Sequence, residues 1–195
     1  MNDAPRITVV GGPNGAGKTT FVRAYLEEYP EPYLSADAIA AELRPEAVEE
    51  VAVAAGRLFV ERLAELIGLR SSFIVESTLS GKSLAANLKA ARKVGYRVSM
   101  VMVYVDSADA SLQRVKERHR KGGHNVPEED VRRRFSRTLK NFWNLYRPLA
   151  DEWKLYRNAL NSPQLVASGE QDKLTPVNDA ELARYFTLAE VVEHE

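Results

Sequence analysis

Residues 12–19, Gly12-Pro13-Asn14-Gly15-Ala16-Gly17-Lys18-Thr19, combine glycines, a lysine and a hydroxyl at the spacing GxxxxGK[ST]. The chemistry this suits is the holding of a polyphosphate. Glycines let the backbone curl until successive N–H groups point at phosphate oxygens. A helix starting near Lys18 adds its positive end. Lys18 can reach the β- and γ-phosphates, and Thr19 can set its hydroxyl on Mg²⁺. With Thr20 these residues form a cradle for ATP. The cradle does not name the phosphoryl acceptor. Water would make an ATPase, a hydroxyl would make a kinase, and neither would make a switch.

Two carboxylates compete for the next role. Asp37 follows Tyr33-Leu34-Ser35-Ala36, and Glu76 follows Phe73-Ile74-Val75. Each sits where an apolar strand emerges, and ligands of open α/β sheets gather at that edge. Asp37 can accept a proton from an acceptor hydroxyl, or hold Mg²⁺ through water. It can equally cap the helix that follows. Glu76 can bind substrate hydroxyls or a metal-bound water. Around it Ser77, Thr78, Ser80 and Lys82 crowd a turn, where the hydroxyls can also serve as helix caps.

A third group is basic. Between Arg114 and Arg137 there are nine basic residues against four acids, Glu117, Glu128, Glu129 and Asp130. Arg114, Arg118 and Lys121 recur on one helical face, and Arg134 and Arg137 share another. The Gly122-Gly123-His124-Asn125 turn between them can hinge a lid over ATP, with arginines on its rims clamping the phosphoryl group. Such a lid also excludes water. The alternative is a solvated basic helix pair. A nucleic-acid patch is disfavoured because no aromatics interleave with the basic face.

Stepping outward, the cradle needs a strand before it and a helix after it. Arg6–Val10 reads as that strand, and the run after Lys18 as that helix. Short strands are expected at residues 33–35, 71–75 and 153–158. Tyr96–Val105 is nearly all apolar and β-branched, as a strand buried on both faces would be. Helices are expected at residues 36–44, 46–67, 83–94, 109–121 and 127–143, with Pro45 opening the second and Gly68 and Gly95 as stops. Residues 165–192 read as a short strand pair followed by a helix from about Asp179. Strands alternating with helices predict one α/β domain over residues 1–195, a mostly parallel sheet flanked by helices, with an arginine-rich helical lid at about 114–137. Asn158, at a strand end, is assigned only the orientation of that lid.

Composition narrows the classes. Of 195 residues, 27 are Lys or Arg and 27 are Asp or Glu, so the global basic excess of many phosphate-binding nucleic-acid proteins is absent. The chain has no cysteine and three histidines, which excludes disulfides and thiolate chemistry and argues against a zinc site. No apolar run is long enough to span a membrane, and the first residues lack a signal-peptide pattern. The expected location is the cytoplasm.

Together the segments GGPNGAGKTT (11–20), LSADAIA (34–40), ESTLSGK (76–82) and RVKERHRKGGHNVPEEDVRRRF (114–135) resemble the zeta-toxin family of P-loop kinases, most closely its short stand-alone members. YRNAL (156–160) and SPQLVASGE (162–170) extend the resemblance over nearly the whole chain. The resemblance implies transfer of the ATP γ-phosphate to the 3′-hydroxyl of UDP-N-acetylglucosamine, and a small antitoxin as partner. It implies Lys18 and Thr19 as the phosphate and Mg²⁺ residues, Asp37 as catalytic base, and Glu76 and Thr78 as substrate-binding. Catalytic arginines are implied at Arg118 or Arg120 on the first lid rim and Arg133 or Arg134 on the second. The best understood members are longer, with extra elements that grip the uridine and sugar. Another hydroxyl compound, a polynucleotide or antibiotic acceptor, and a nucleotide-binding switch therefore stay open as alternatives.

Overall fold

The computed structural model describes residues 4–123, 126–159, 162–171 and 173–191. Seven strands form one sheet: β1 (Arg6–Gly11), β2 (Tyr33–Ser35), β3 (Phe73–Ser77), β4 (Arg97–Tyr104), β5 (Glu152–Asn158), β6 (Pro163–Glu170) and β7 (Lys173–Pro176). Their order is β2-β3-β1-β4-β5-β6-β7. The first five are parallel, so their C-terminal ends share one edge. The expected strand pair of residues 165–192 is there, but it is no separate tail. β6 and β7 join antiparallel to β5 and extend the same sheet.

Side-chain alternation decides which face each residue serves. Ile7, Val9, Phe73, Val75, Val98, Met100, Met102, Trp153 and Leu155 enter the main core. That core is closed by α2 (Ala36–Leu43), α3 (Ala52–Gly68), α4 (Ser83–Lys93), α6 (Glu128–Asn141) and α7 (Asp179–Ala189). The intervening Val10, Ile74 and Val101 face the opposite side, where Phe21, Val22, Tyr25 and Leu26 of α1 (Lys18–Glu28) pack on them. Glu76 is two residues beyond Ile74 and therefore points to the α1 side. The segment expected as a lid has its own small core, in which Leu112 and Val115 of α5 (Ala108–Arg120) meet Val126 and Val131.

Helix boundaries follow local chemistry. Ser107 caps α5 by accepting from the Ala110 N–H at 3.0 Å. Gly95, at φ 90, follows the end of α4 as expected. The helix expected over residues 46–67 is divided. A 3₁₀ turn, Val48–Val51, precedes α3, and Pro45 lies outside both. The segment turns through backbone bonds from the Ala47 N–H to the Arg44 carbonyl at 3.2 Å and from the Glu50 N–H to the Ala47 carbonyl at 3.1 Å, with Arg44 pairing Glu50 at 2.6 Å and Glu46 at 3.5 Å across it. Gly68 is the last residue of α3, and the left-handed residue beyond it is Arg70, at φ 52. His124 and Asn125 of the expected lid turn lie outside the described residues. Among the described residues no helix is long and apolar enough to cross a membrane.

Candidate functional site

The loop between β1 and α1 is gripped by its carbonyls. The Pro13 carbonyl accepts from the Ala16 N–H at 3.2 Å and from Lys18 Nζ at 3.1 Å. The Asn14 carbonyl accepts from the Ser111 hydroxyl of α5. The Ala16 carbonyl accepts from Asn158 Nδ2 at 2.8 Å. Committing a loop's carbonyls to protein partners frees its N–H groups for an anion. Two glycines are required by this packing. A Cβ on Gly12 would lie 2.1 Å from the Val103 carbonyl oxygen. Gly17 adopts φ 96, and a Cβ there would lie 2.6 Å from Asn158 Nδ2.

Asn158 therefore acts on the phosphate loop, and the expectation that it only orients the lid is corrected. Its own carbonyl and that of Ala159 accept from Arg114 at 2.9 and 2.6 Å. Arg114 stands one turn beyond Ser111 on α5, so one helix face holds both the loop and the end of β5. These contacts were missed in the sequence because Asn158 lies 142 residues from the carbonyl it binds. The shared spacing of Ser111, Arg114 and Arg118 was the available signal.

Lys18 is the electrostatic centre. Burial pushes its ammonium pKa down, the Glu76 and Asp37 carboxylates pull it back up, and the Arg118 guanidinium pushes it down again. The fields of both carboxylates and one arginine thus act on Lys18 at the C-terminal edge of the sheet. Register places Glu76 there, since it is level with Val10 on one neighbour and Ser35 on the other. Glu76 is buried and its carboxylate is engaged twice, by Thr19 Oγ1 at 3.0 Å and by the Tyr33 hydroxyl at 2.6 Å. Burial, then the bond to Glu76, raises the Tyr33 pKa, so Tyr33 stays a donor. Tyr33 is a site residue the sequence reading missed; its place two residues before Ser35 puts it on the same strand.

Asp37 is exposed in the first turn of α2. The cap is Ser35, whose hydroxyl accepts from the Ala38 N–H at 3.4 Å. The capping alternative for Asp37 is thereby removed. The hydroxyls before α4 do not cap that helix either, because its first turn has no side-chain cap. Instead Thr78 and Ser80 pair at 3.0 Å, and Ser77 accepts from the Leu79 N–H at 3.1 Å.

Of the four candidate arginines, the helices separate two pairs. Arg118 is one turn beyond Arg114 on α5, at the spacing of the face whose Ser111 and Arg114 hold the Asn14 carbonyl and the end of β5. Arg120 lines an outer groove with Asp109, Gln113 and Lys116. On α6, Arg134 is half-buried on the face that carries Thr138, while Arg133 is exposed; both bind Asp130, Arg134 at 3.0 Å. Thr20 is exposed in the first turn of α1.

The Thr19 hydroxyl and Glu76 carboxylate are hard oxygen donors and fit Mg²⁺. Among the described residues no three His, Asp or Glu side chains cluster into an all-protein metal cage. A divalent ion would depend on the phosphates as well, as Mg²⁺ usually does. Glu76→Gln keeps the side-chain shape and removes the charge. It should weaken apparent Mg²⁺ affinity by about 10–100-fold, the usual effect of losing a partner that orients a ligand. A Mg²⁺ titration of nucleotide binding checks this, and an unchanged midpoint would contradict it.

Known proteins bear on this arrangement. A Haemophilus influenzae protein described only as uncharacterized is 30% identical over 124 residues, which is 64% of this chain and 88% of that one. A chain of the AvrRxo1-ORF1:ORF2 crystal structure with ATP superposes with a TM-score of 0.78 at 18% identity, over 100% of this chain and 67% of its own length. The structure of the PezAT toxin–antitoxin system of Streptococcus pneumoniae gives 0.67 at 17% identity, over 100% of this chain and 82% of the other. At such identities the likeness is one of fold. The sequence profile named Zeta toxin matches residues 1–159, most of the length, and the chain belongs to the zeta toxin family.

Proposed function

We propose that this chain is an ATP-dependent phosphotransferase. It moves the γ-phosphate of Mg–ATP to a hydroxyl of a small molecule, and a UDP-N-acetylamino sugar is the acceptor class that family membership favours. The observation that carries this reading is the arrangement at one sheet edge of a loop whose carbonyls are bound, Glu76 held to Thr19 at 3.0 Å, and Asp37 in the first turn of α2. A nucleotide switch needs Lys18, Thr19 and one metal-side carboxylate, which Glu76 can supply; it needs no second carboxylate, and Asp37 is exposed in the first turn of α2 at the same sheet edge.

The roles follow from the surroundings. Lys18 and the loop's backbone N–H groups hold the phosphates, apart from that of Ala16, which is bound to the Pro13 carbonyl, and Pro13 itself, which has none. Thr19 and Glu76 would hold a Mg²⁺ arriving with the nucleotide, which would supply neutralisation of the phosphate charge. Glu76, already engaged by two hydroxyls, orients Thr19 at the metal side. Asp37 accepts the proton of the acceptor hydroxyl as its oxygen bonds to phosphorus and the bond to the ADP oxygen breaks. Thr78 and its turn line the acceptor side. Arg118 and Arg134 clamp the moving phosphoryl group from the two lid helices. The AvrRxo1 structure holds ATP and PezAT is a toxin–antitoxin system. By that likeness a small inhibitory partner protein belongs to the same reading, with the cytoplasm, where ATP is supplied, as its place.

Single truncations separate the arginines. Arg118→Ala and Arg134→Ala should each lower kcat by about a hundredfold or more, the typical value of one transition-state donor. Arg120→Ala and Arg133→Ala should stay near wild type. Equal losses at Arg118 and Arg120 would overturn the helix-face assignment. The function itself is tested by mass spectrometry of nucleotide sugars, free sugars and nucleic acid after incubation with Mg–ATP. A phosphorylated small molecule is expected, and phosphate on nucleic acid alone would redirect the acceptor class.

A further inference from the structure

The turn between β3 and α4 is held in an unusual way. Its successive carbonyls each accept from a different side chain beyond residue 136. Thr138 Oγ1 donates to the Thr78 carbonyl at 2.7 Å, Asn141 Nδ2 to that of Leu79 at 2.9 Å, and an Arg137 Nη to that of Ser80 at 2.8 Å. The Tyr146 hydroxyl donates to the Gly81 carbonyl at 2.8 Å. Arg134, Arg137, Thr138 and Asn141 lie at i, i+3, i+4 and i+7, one face of α6. Tyr146 would not join them in a regular helix, since five residues turn it about 140° away. The segment Phe142–Tyr146 is instead a π turn, whose i to i+5 repeat returns Tyr146 to that face.

Leu79 supplies a second observation. It is buried and adopts φ 57, a left-handed conformation that a bulky side chain rarely takes. Such a conformation persists only where the surroundings over-determine it. Here the Leu79 N–H is held by Ser77 and its carbonyl by Asn141. Burial pushes the Tyr146 hydroxyl pKa up to about 12, so it donates throughout the working pH range.

We infer that Thr138, Asn141 and Tyr146 are positioning residues that lock the acceptor turn, residues 78–81, to α6. The turn and Arg134 then move as one body, and the seating of the acceptor sets the arginine on the phosphoryl group. This rests on the phosphotransferase reading above. It separates two binding events: nucleotide is held by the loop, Ser111 and Asn158, and acceptor is registered by α6.

Thr138→Val and Tyr146→Phe each delete one hydroxyl at nearly constant shape, and Thr138→Ser keeps the donor. With UDP-N-acetylglucosamine as acceptor, Thr138→Val and Tyr146→Phe should lose about 10–100-fold in kcat/KM for the acceptor, the scale of a small misplacement of reacting groups. Mg–ATP affinity by calorimetry should be unchanged, and Thr138→Ser should recover most of the loss. Unchanged acceptor kinetics, an equal loss of nucleotide affinity, or a serine variant as poor as valine would overturn the inference. If the wild type phosphorylates no nucleotide sugar, the acceptor reading has failed, and hydrogen exchange decides the clamp alone. Faster exchange at residues 78–82 of Thr138→Val, with residues 12–17 unchanged, supports it; unchanged exchange at 78–82 overturns it. Should Thr138→Val not fold, half-buried Asn141→Leu carries the same test.

Discussion

Lys18→Ala is expected to lower phosphoryl transfer by about 10²–10³ and to weaken Mg–ATP binding. The ammonium is buried, and the Glu76 and Asp37 carboxylates hold its charge against that burial. Removing it does more than delete one phosphate contact. The Glu76 and Asp37 carboxylates, whose fields act on Lys18, are left without that counter-charge where a nucleotide would bind. Loss of a fixed positive group at the developing charge costs about 3–4 kcal/mol in such sites, or roughly 10²–10³ in kcat. The repulsion adds a loss of nucleotide affinity. Calorimetry and turnover on one preparation check both effects. Wild-type affinity with wild-type turnover would remove Lys18 from the site.

Asp37→Asn should separate chemistry from binding. Ser35, and not Asp37, caps α2, so the substitution should leave the melting temperature nearly unchanged. Asp37 does contribute field at Lys18, but the Asn variant keeps its size and its exposed position. The amide cannot take the acceptor's proton. Transfer should fall by about 10²–10⁴, the range for a general base, with Mg–ATP affinity little altered. Normal transfer by Asp37→Asn would end its role as base. Loss of nucleotide binding together with turnover would point to a metal role instead.

Much of the scaffold was legible because it is local. The cradle motif, the strand before it and the helix after it all lie within residues 6–28. The apolar run of Tyr96–Val105 marked a central parallel strand, and β4 does lie between β1 and β5. What escaped depends on contacts between distant segments. Side-chain alternation within β3 sends Glu76 toward Thr19, 57 residues away. That contact supports the metal-side role proposed for Glu76, where spacing alone left metal and acceptor both open. Arg118 and Arg120 look equivalent in sequence, yet two positions on a helix turn them to different surroundings. The clamp on residues 78–81 was hidden for a further reason. Its last member reaches the turn only through a π turn, and a 3.6-residue periodicity does not anticipate one. The segment expected as one helix from Glu46 shows the converse case, where hydrophobic spacing was right and a tight turn through residues 44–50 delayed the start.

The central claim is transfer to a hydroxyl, and the fate of the γ-phosphate tests it most directly. Wild-type protein would be mixed in excess with γ-labelled ATP, Mg²⁺ and UDP-N-acetylglucosamine for a single turnover. The label would then be apportioned among ATP, inorganic phosphate and sugar nucleotide. Label is expected to leave ATP for a hydroxyl of the sugar nucleotide, with little inorganic phosphate formed. Label recovered only as inorganic phosphate, or remaining on ATP with this and every other hydroxyl acceptor, would contradict it.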